Sequence, residues 1–102
     1  MTKDIIWQTP DKTVTKENRR EFDDKGAVIL FLAHGIKPVC VEAKGYRMIW
    51  VFDNEEVGKL FEDYFTGKSV MCDYQGVITG ENFWLKMLSI LKKYLVVIFI
   101  SG

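Results

Sequence analysis

The chain has few of the residues on which site chemistry usually rests: two cysteines, two prolines and one histidine in 102 residues. Cys40 and Cys72 are far apart in sequence, share no CxxC spacing and have no histidine beside them. That pattern reads as two small buried hydrophobes, not a metal or redox site, and it fits a reducing cytoplasm. The glycines are scattered singly, and without GxGxxG or GxxxxGK[ST] there is no loop of backbone amides to cradle a nucleotide phosphate. Ser69, Ser89 and Ser101 sit in no nucleophile-elbow context. Net charge is also missing. With 14 basic and 14 acidic residues in balance, no long-range field gathers polyanions. The most apolar stretch, Leu95–Ile100, follows Lys92 and Lys93 and falls well below the roughly 20 residues that a membrane span requires. Nor does Met1–Lys12 hold the apolar core of a secretory signal. From these absences no cofactor, no metal, no membrane partner and no enzymatic activity are expected.

What is present is material for a core. Hydrophobic residues make up 48 % of the chain and aromatic residues 14 %, enough for one compact domain over 1–102 and too little for two. Residues 1–20 are polar apart from Ile5, Ile6, Trp7 and Val14, and read as an arm or an edge strand. A helix is expected from Asp23-Asp24 to about His34, its apolar body Ala27–Ala33 closed by Gly35 and Pro38. Pro38–Asp53 reads as a β-hairpin turning at Lys44-Gly45. Its second arm, Tyr46–Phe52, is apolar on both faces and therefore central, and its first arm, carrying Glu42, lies nearer an edge.

Asp53-Asn54-Glu55-Glu56 carries the spacing of a capping box, with Phe52 and Val57 as its hydrophobic staple. The helix that follows places Val57, Leu60, Phe61, Tyr64 and Phe65 at three- and four-residue spacing and ends at Gly67. Residues 69–78 suggest a short strand and turn. A third helix is expected from Thr79 to Tyr94, and the β-branched run Leu95–Ile100 as a terminal strand. The predicted class is thus α+β: a small antiparallel sheet, made of the central hairpin 38–53 and the C-terminal strand, packed against three helices.

Candidate contact residues follow from charge and aromatic placement. Glu55, Glu56, Glu62 and Asp63, relieved mainly by Lys59, give the second helix an acidic surface that can favour its own dipole or dock on a basic partner. Basic residues gather at Arg19 and Arg20 and at Lys92 and Lys93, where nucleic acid could bind. Tyr46-Arg47 and Trp50 interleave aromatic and basic side chains as a single-strand stacking platform does, although core rings on a buried strand account for the same letters. His34, one residue before a glycine stop, is placed to favour the negative end of a helix. The apolar C-terminal run is either an intramolecular strand or a contact between subunits in a homo-oligomer.

Three stretches carry a family likeness: Phe22-Asp23-Asp24 through Gly35-Ile36-Lys37-Pro38, the hairpin arm ending Ile49-Trp50-Val51-Phe52-Asp53, and Val57 through Tyr64-Phe65-Thr66-Gly67. With these the chain resembles small domains of unknown function from phages and prophages of Gram-positive bacteria, over about residues 22–67. The resemblance implies an α+β fold and assigns no site residue. It implies a non-enzymatic accessory protein that works in the host cytoplasm by binding, as an inhibitor or adaptor of a host protein, host defence machinery included. A nucleic-acid-binding accessory protein and a small-molecule-sequestering oligomer are the alternatives. Binding through Glu55, Glu56, Lys59, Glu62, Asp63 and Arg47 is the leading expectation.

Overall fold

The structure, a computed structural model, describes residues 4–9, 18–68 and 73–101. Its elements in order are β1 (Asp4–Gln8), β2 (Arg20–Phe22), α1 (Lys25–Ala33), β3 (Cys40–Lys44), β4 (Arg47–Phe52), α2 (Glu56–Phe65) and α3 (Tyr74–Ser101). The strands form one antiparallel sheet in the order β1-β3-β4-β2. The class is α+β, with three helices against a four-stranded sheet.

The hairpin forms where its letters place it. Lys44 pairs with Arg47 across a two-residue loop, and Gly45 takes φ +63°, the positive value such a loop favours at its first position. The first arm is not near an edge, however. β3 is internal because Asp4–Gln8 adds outside it, in a register that carries a bulge between Ile5 and Trp7, so Glu42 is buried.

α1 explains its own lack of a polar face. Ala27, Val28, Leu30 and Phe31 are all buried, because the helix packs against α3 and α2 and shares one core with Val41, Trp50 and Phe52 of the sheet. Its end closes by the Schellman pattern: Gly35 has φ +79°, its N–H donates to the Leu32 carbonyl at 3.0 Å, and the Ile36 N–H donates to the Phe31 carbonyl at 3.1 Å. α2 ends the same way at Gly67, with φ +79° and a bond from the Lys68 N–H to the Asp63 carbonyl at 2.9 Å. At its start, the Glu56 N–H donates to Asn54 Oδ1 at 2.8 Å, so Asn54 takes the part expected of Asp53. Phe52 and Val57 are both fully buried.

α3 departs most from expectation. Tyr74–Ile78 forms its first turns, not a strand and turn, and 69–72 of that segment lie outside the described residues. Leu95–Ile100 continues the helix, so there is no terminal strand, and the subunit contact through such a strand falls with it. The physical reason is twofold. Once a helix is nucleated, each added residue gains a hydrogen bond, against which β-branched side chains cost only a few tenths of a kcal/mol each, up to about 0.7 kcal/mol. Within the sheet, both sides of β3 and β4 are already taken.

α1 and α3 run antiparallel and close together. A Cβ on Gly76 would come 2.8 Å from the Ala33 carbonyl oxygen, and one on Gly80 would come 3.1 Å from the Ile29 carbonyl oxygen. These two glycines share a helix face at four-residue spacing and set how near the backbones can lie. Aromatic rings complete the core across the sheet: Trp7 and Trp50 meet Phe83 at 5.4 and 5.6 Å, and Phe22 meets Phe31 and Phe61 at 4.8 and 5.2 Å.

Two glycine substitutions separate packing from propensity. Gly76→Ala is expected to lose about 1–2 kcal/mol, because overpacking against backbone exceeds the gain in helix propensity. Gly58→Ala, on an open face of α2, should instead gain about 0.5–1 kcal/mol. Thermal melts would place the first variant below and the second above the parent, by about 4–8 °C per kcal/mol for a domain of this size.

Candidate functional site

The residues with the strongest binding chemistry meet at the N-terminal end of α1. Three neighbouring positions there each hold a side chain from another element. Asp23 forms an ion pair with Arg47 at the start of β4. Asp24 faces Tyr64 of α2, and its negative charge, then burial and a hydrogen bond, push the Tyr64 phenol above its ordinary pKa. Lys25 places its ammonium 4.8 Å from the centre of the Trp84 ring on α3, within cation–π range. Asp23, Tyr46, Arg47, Trp84, Leu88 and Leu91 line a depression of about 200 Å³. In its lining Tyr46 is 74 % exposed; on α2, Phe65, next to Tyr64, is 78 % exposed.

The expected contact residues divide over this geometry. Glu55, Glu56, Lys59 and Glu62 are exposed on α2, and half-buried Asp63 lies 4.0 Å from Lys68. Arg47 is not among them: it opens β4, and α2 begins only after β4 has crossed the sheet and ended at Phe52. Only the far end of α2, at Tyr64 and Phe65, reaches the Arg47 end of the molecule. Tyr64 and Trp84 read in the sequence as apolar-face residues. The signal that could have found them was the cluster Asp23-Asp24-Lys25 at a helix start, three charges needing partners.

The basic residues do not form one surface. Arg20 pairs with Phe52 at one end of β4, whereas Lys92 and Lys93 precede Tyr94, which bonds Asp4 beside Ala43 and the hairpin turn at the other end. Arg19 is committed internally. Its Nη2 donates to Glu42 Oε1, and its Nε lies 3.2 Å from Glu21 Oε2. The bond to Glu21, followed by that to Glu42, raises its pKa against the opposing effect of burial. This pair neutralises Glu42 on the second face of the sheet, where Cys40, Ile49 and Val51 form a small buried cluster.

The remaining candidates for chemistry have structural occupations. His34 Nδ1 lies 2.9 Å from the Leu30 carbonyl, which can only accept, so the proton sits on Nδ1. The Cys40 thiol is pushed up by burial first and by the Glu42 charge second, which makes it a poor nucleophile. Trp50 Nε1 is buried with no hydrogen-bonding partner among the described residues. Among the described residues no group of histidine, cysteine and acidic side chains is placed to hold a metal ion.

A second cleft, of about 380 Å³, opens at the opposite end of α1, between Trp7, Leu32, Ile36, Pro38 and Phe83. Among the described residues no helix is long and apolar enough to cross a membrane. Comparison with protein-family models, curated proteins and solved structures returned no match.

Two measurements test the buried pair and the thiol. Arg19→Ala leaves Glu42 buried and uncompensated, and should cost about 3 kcal/mol in denaturant unfolding. In a Cys72→Ser chain, Cys40 should resist iodoacetamide at pH 8 in the folded state and react on unfolding, because a raised pKa leaves less thiolate at that pH. Equal rates in the two states would contradict that placement.

Proposed function

We propose that this chain is a non-enzymatic binding protein that acts by protein–protein contact, as an inhibitor or adaptor, through the surface around the N-terminal end of α1. One observation carries the reading: exposed Tyr46, Arg47 and the Trp84 ring under Lys25 line one depression, and exposed Phe65 follows Tyr64 at the neighbouring end of α2. Tyrosine, tryptophan and arginine are the residues that most often dominate the energy of protein interfaces, since they bury much area with few rotatable bonds. Of the acidic residues of α2, Glu62 and Asp63 come just before Tyr64 at this end of the helix and Glu55 and Glu56 lie at the other; the near pair favours association rate and selectivity toward a basic partner. The partner proposed, on the resemblance to phage-borne domains, is a host protein of the bacterial cytoplasm, host defence machinery included.

Photo-crosslinking locates the contact. A photoreactive phenylalanine at Tyr46 or Phe65 should capture one host protein, and the same group at Lys37, by the opposite cleft, should capture none. Against the protein so identified, Tyr46→Ala with Arg47→Glu should weaken binding by about thirtyfold or more, the loss expected of interface hot spots. Both side chains are exposed and the Arg47–Asp23 ion pair is worth at most about 1 kcal/mol, so the fold should survive. Binding that is unchanged in this double variant would refute the assignment.

A further inference from the structure

Among the described side chains, Met87 and Leu91 are the last of α3 to be fully buried, yet the helix runs on to Ser101. Tyr94 and Leu95 still pack against the core, and the six residues after Leu95, at 1.5 Å each, carry the helix about 9 Å further. This part is apolar in almost every direction. Val96, Val97, Ile98 and Ile100 are 57, 63, 43 and 82 % exposed. At 3.6 residues per turn these four point to all sides but the one taken by half-buried Leu95. Beside them Ile5 of β1 is also exposed, and it shares a shallow hollow with Ile90, Lys93 and Tyr94.

The charge here has one sign. From Asn82 to Gly102 there are three lysines, Lys86, Lys92 and Lys93, and no aspartate or glutamate. Near its end Asp4 accepts a hydrogen bond from the Tyr94 hydroxyl, and nearer the core Asp23 lines the depression with Trp84, Leu88 and Leu91. A helix end that is apolar all round, preceded by a lysine pair and a tyrosine, has the order of groups found where a helix enters a lipid interface: cation at the headgroups, amphipathic ring at the boundary, hydrocarbon beyond.

We propose that the Lys92–Ile100 end of α3, with Ile5 beside it, docks on an anionic lipid surface. The contact is peripheral, without a span. A lipid surface fits better than a second copy of the chain: a protein face covers one side of a helix, whereas lipid encloses all the exposed directions, and Lys92 and Lys93 complement anionic headgroups.

The test is flotation of the full chain with phosphatidylcholine vesicles, with and without phosphatidylglycerol. Binding should require phosphatidylglycerol, weaken as salt is raised, and persist in excess soluble glycerol phosphate, which supplies the headgroup charge without the hydrocarbon. Lys92→Glu with Lys93→Glu should lower partitioning by about tenfold or more. Val96→Glu and Ile100→Glu should each abolish it with the circular dichroism spectrum unchanged, since both side chains are exposed. The proposal is overturned by absence of binding to either vesicle, by equal binding to both, or by a dimer in sedimentation equilibrium that Val96→Glu dissociates.

Discussion

Because α1 has no polar face, the molecule must enclose it, and that constraint organises the rest. Its apolar residues turn through every direction, so an exposed side would leave hydrocarbon in water at about 1.5–3 kcal/mol for each large side chain. The sheet covers one side, α2 a second and α3 a third. Enclosure so complete needs close backbones, and Gly76 and Gly80 permit that approach on α3. The glycine face is thus a condition of the fold, although each glycine lowers the intrinsic helix propensity of α3 by about 1 kcal/mol.

Enclosure also decides what the ends of α1 carry. At the C-terminal end Gly35 turns the chain into β3, and the cleft between Trp7 and Phe83 opens. At the N-terminal end the helix emerges with Asp23, Asp24 and Lys25 in succession, and the covering elements each supply a partner: Arg47, Tyr64 and Trp84. The surface rich in arginine and aromatic rings therefore arises where a buried helix meets solvent. It is held by rigid elements, which lowers the entropy lost when a partner binds.

How much of this could be read from the sequence depended on the range of the signal. The hairpin and α2 were legible because Gly45, Gly67 and the Phe52–Val57 pair act within a few residues. The internal place of β3 was not, because it depends on Ile5–Gln8 pairing with residues some 35 positions away. Leu95–Ile100 misled for the converse reason: β-branched residues state a local preference, and a helix already under way, beside a sheet with its inner positions filled, outweighs it. Arg47 and Tyr46 were visible as a pair, but the approach of Trp84 and Tyr64 follows from the antiparallel packing of α3 on α1 and the direction of α2, neither of which has a local signature. The buried partner of Arg19 was likewise hidden, since Glu42 alternates on a strand whose second face reads as solvent.

The two proposed surfaces lie at the same end of the molecule. Arg47 and Tyr46 flank the hairpin turn, and Asp4, which holds Tyr94, pairs with Ala43 next to that turn. α3 leaves the core there, past Trp84, Leu88 and Leu91 of the depression, before its apolar turns begin. A chain seated on lipid by those turns would hold the depression within about two helical turns, roughly 11 Å, of the headgroups. A protein partner at Tyr46 and Arg47 must then fit between the domain and the membrane or itself lie at the membrane surface. Confinement of both to one plane would raise their effective concentration and strengthen a contact too small to be tight in free solution. The small volume of the depression, about 200 Å³, is consistent with such a weak, surface-assisted interaction.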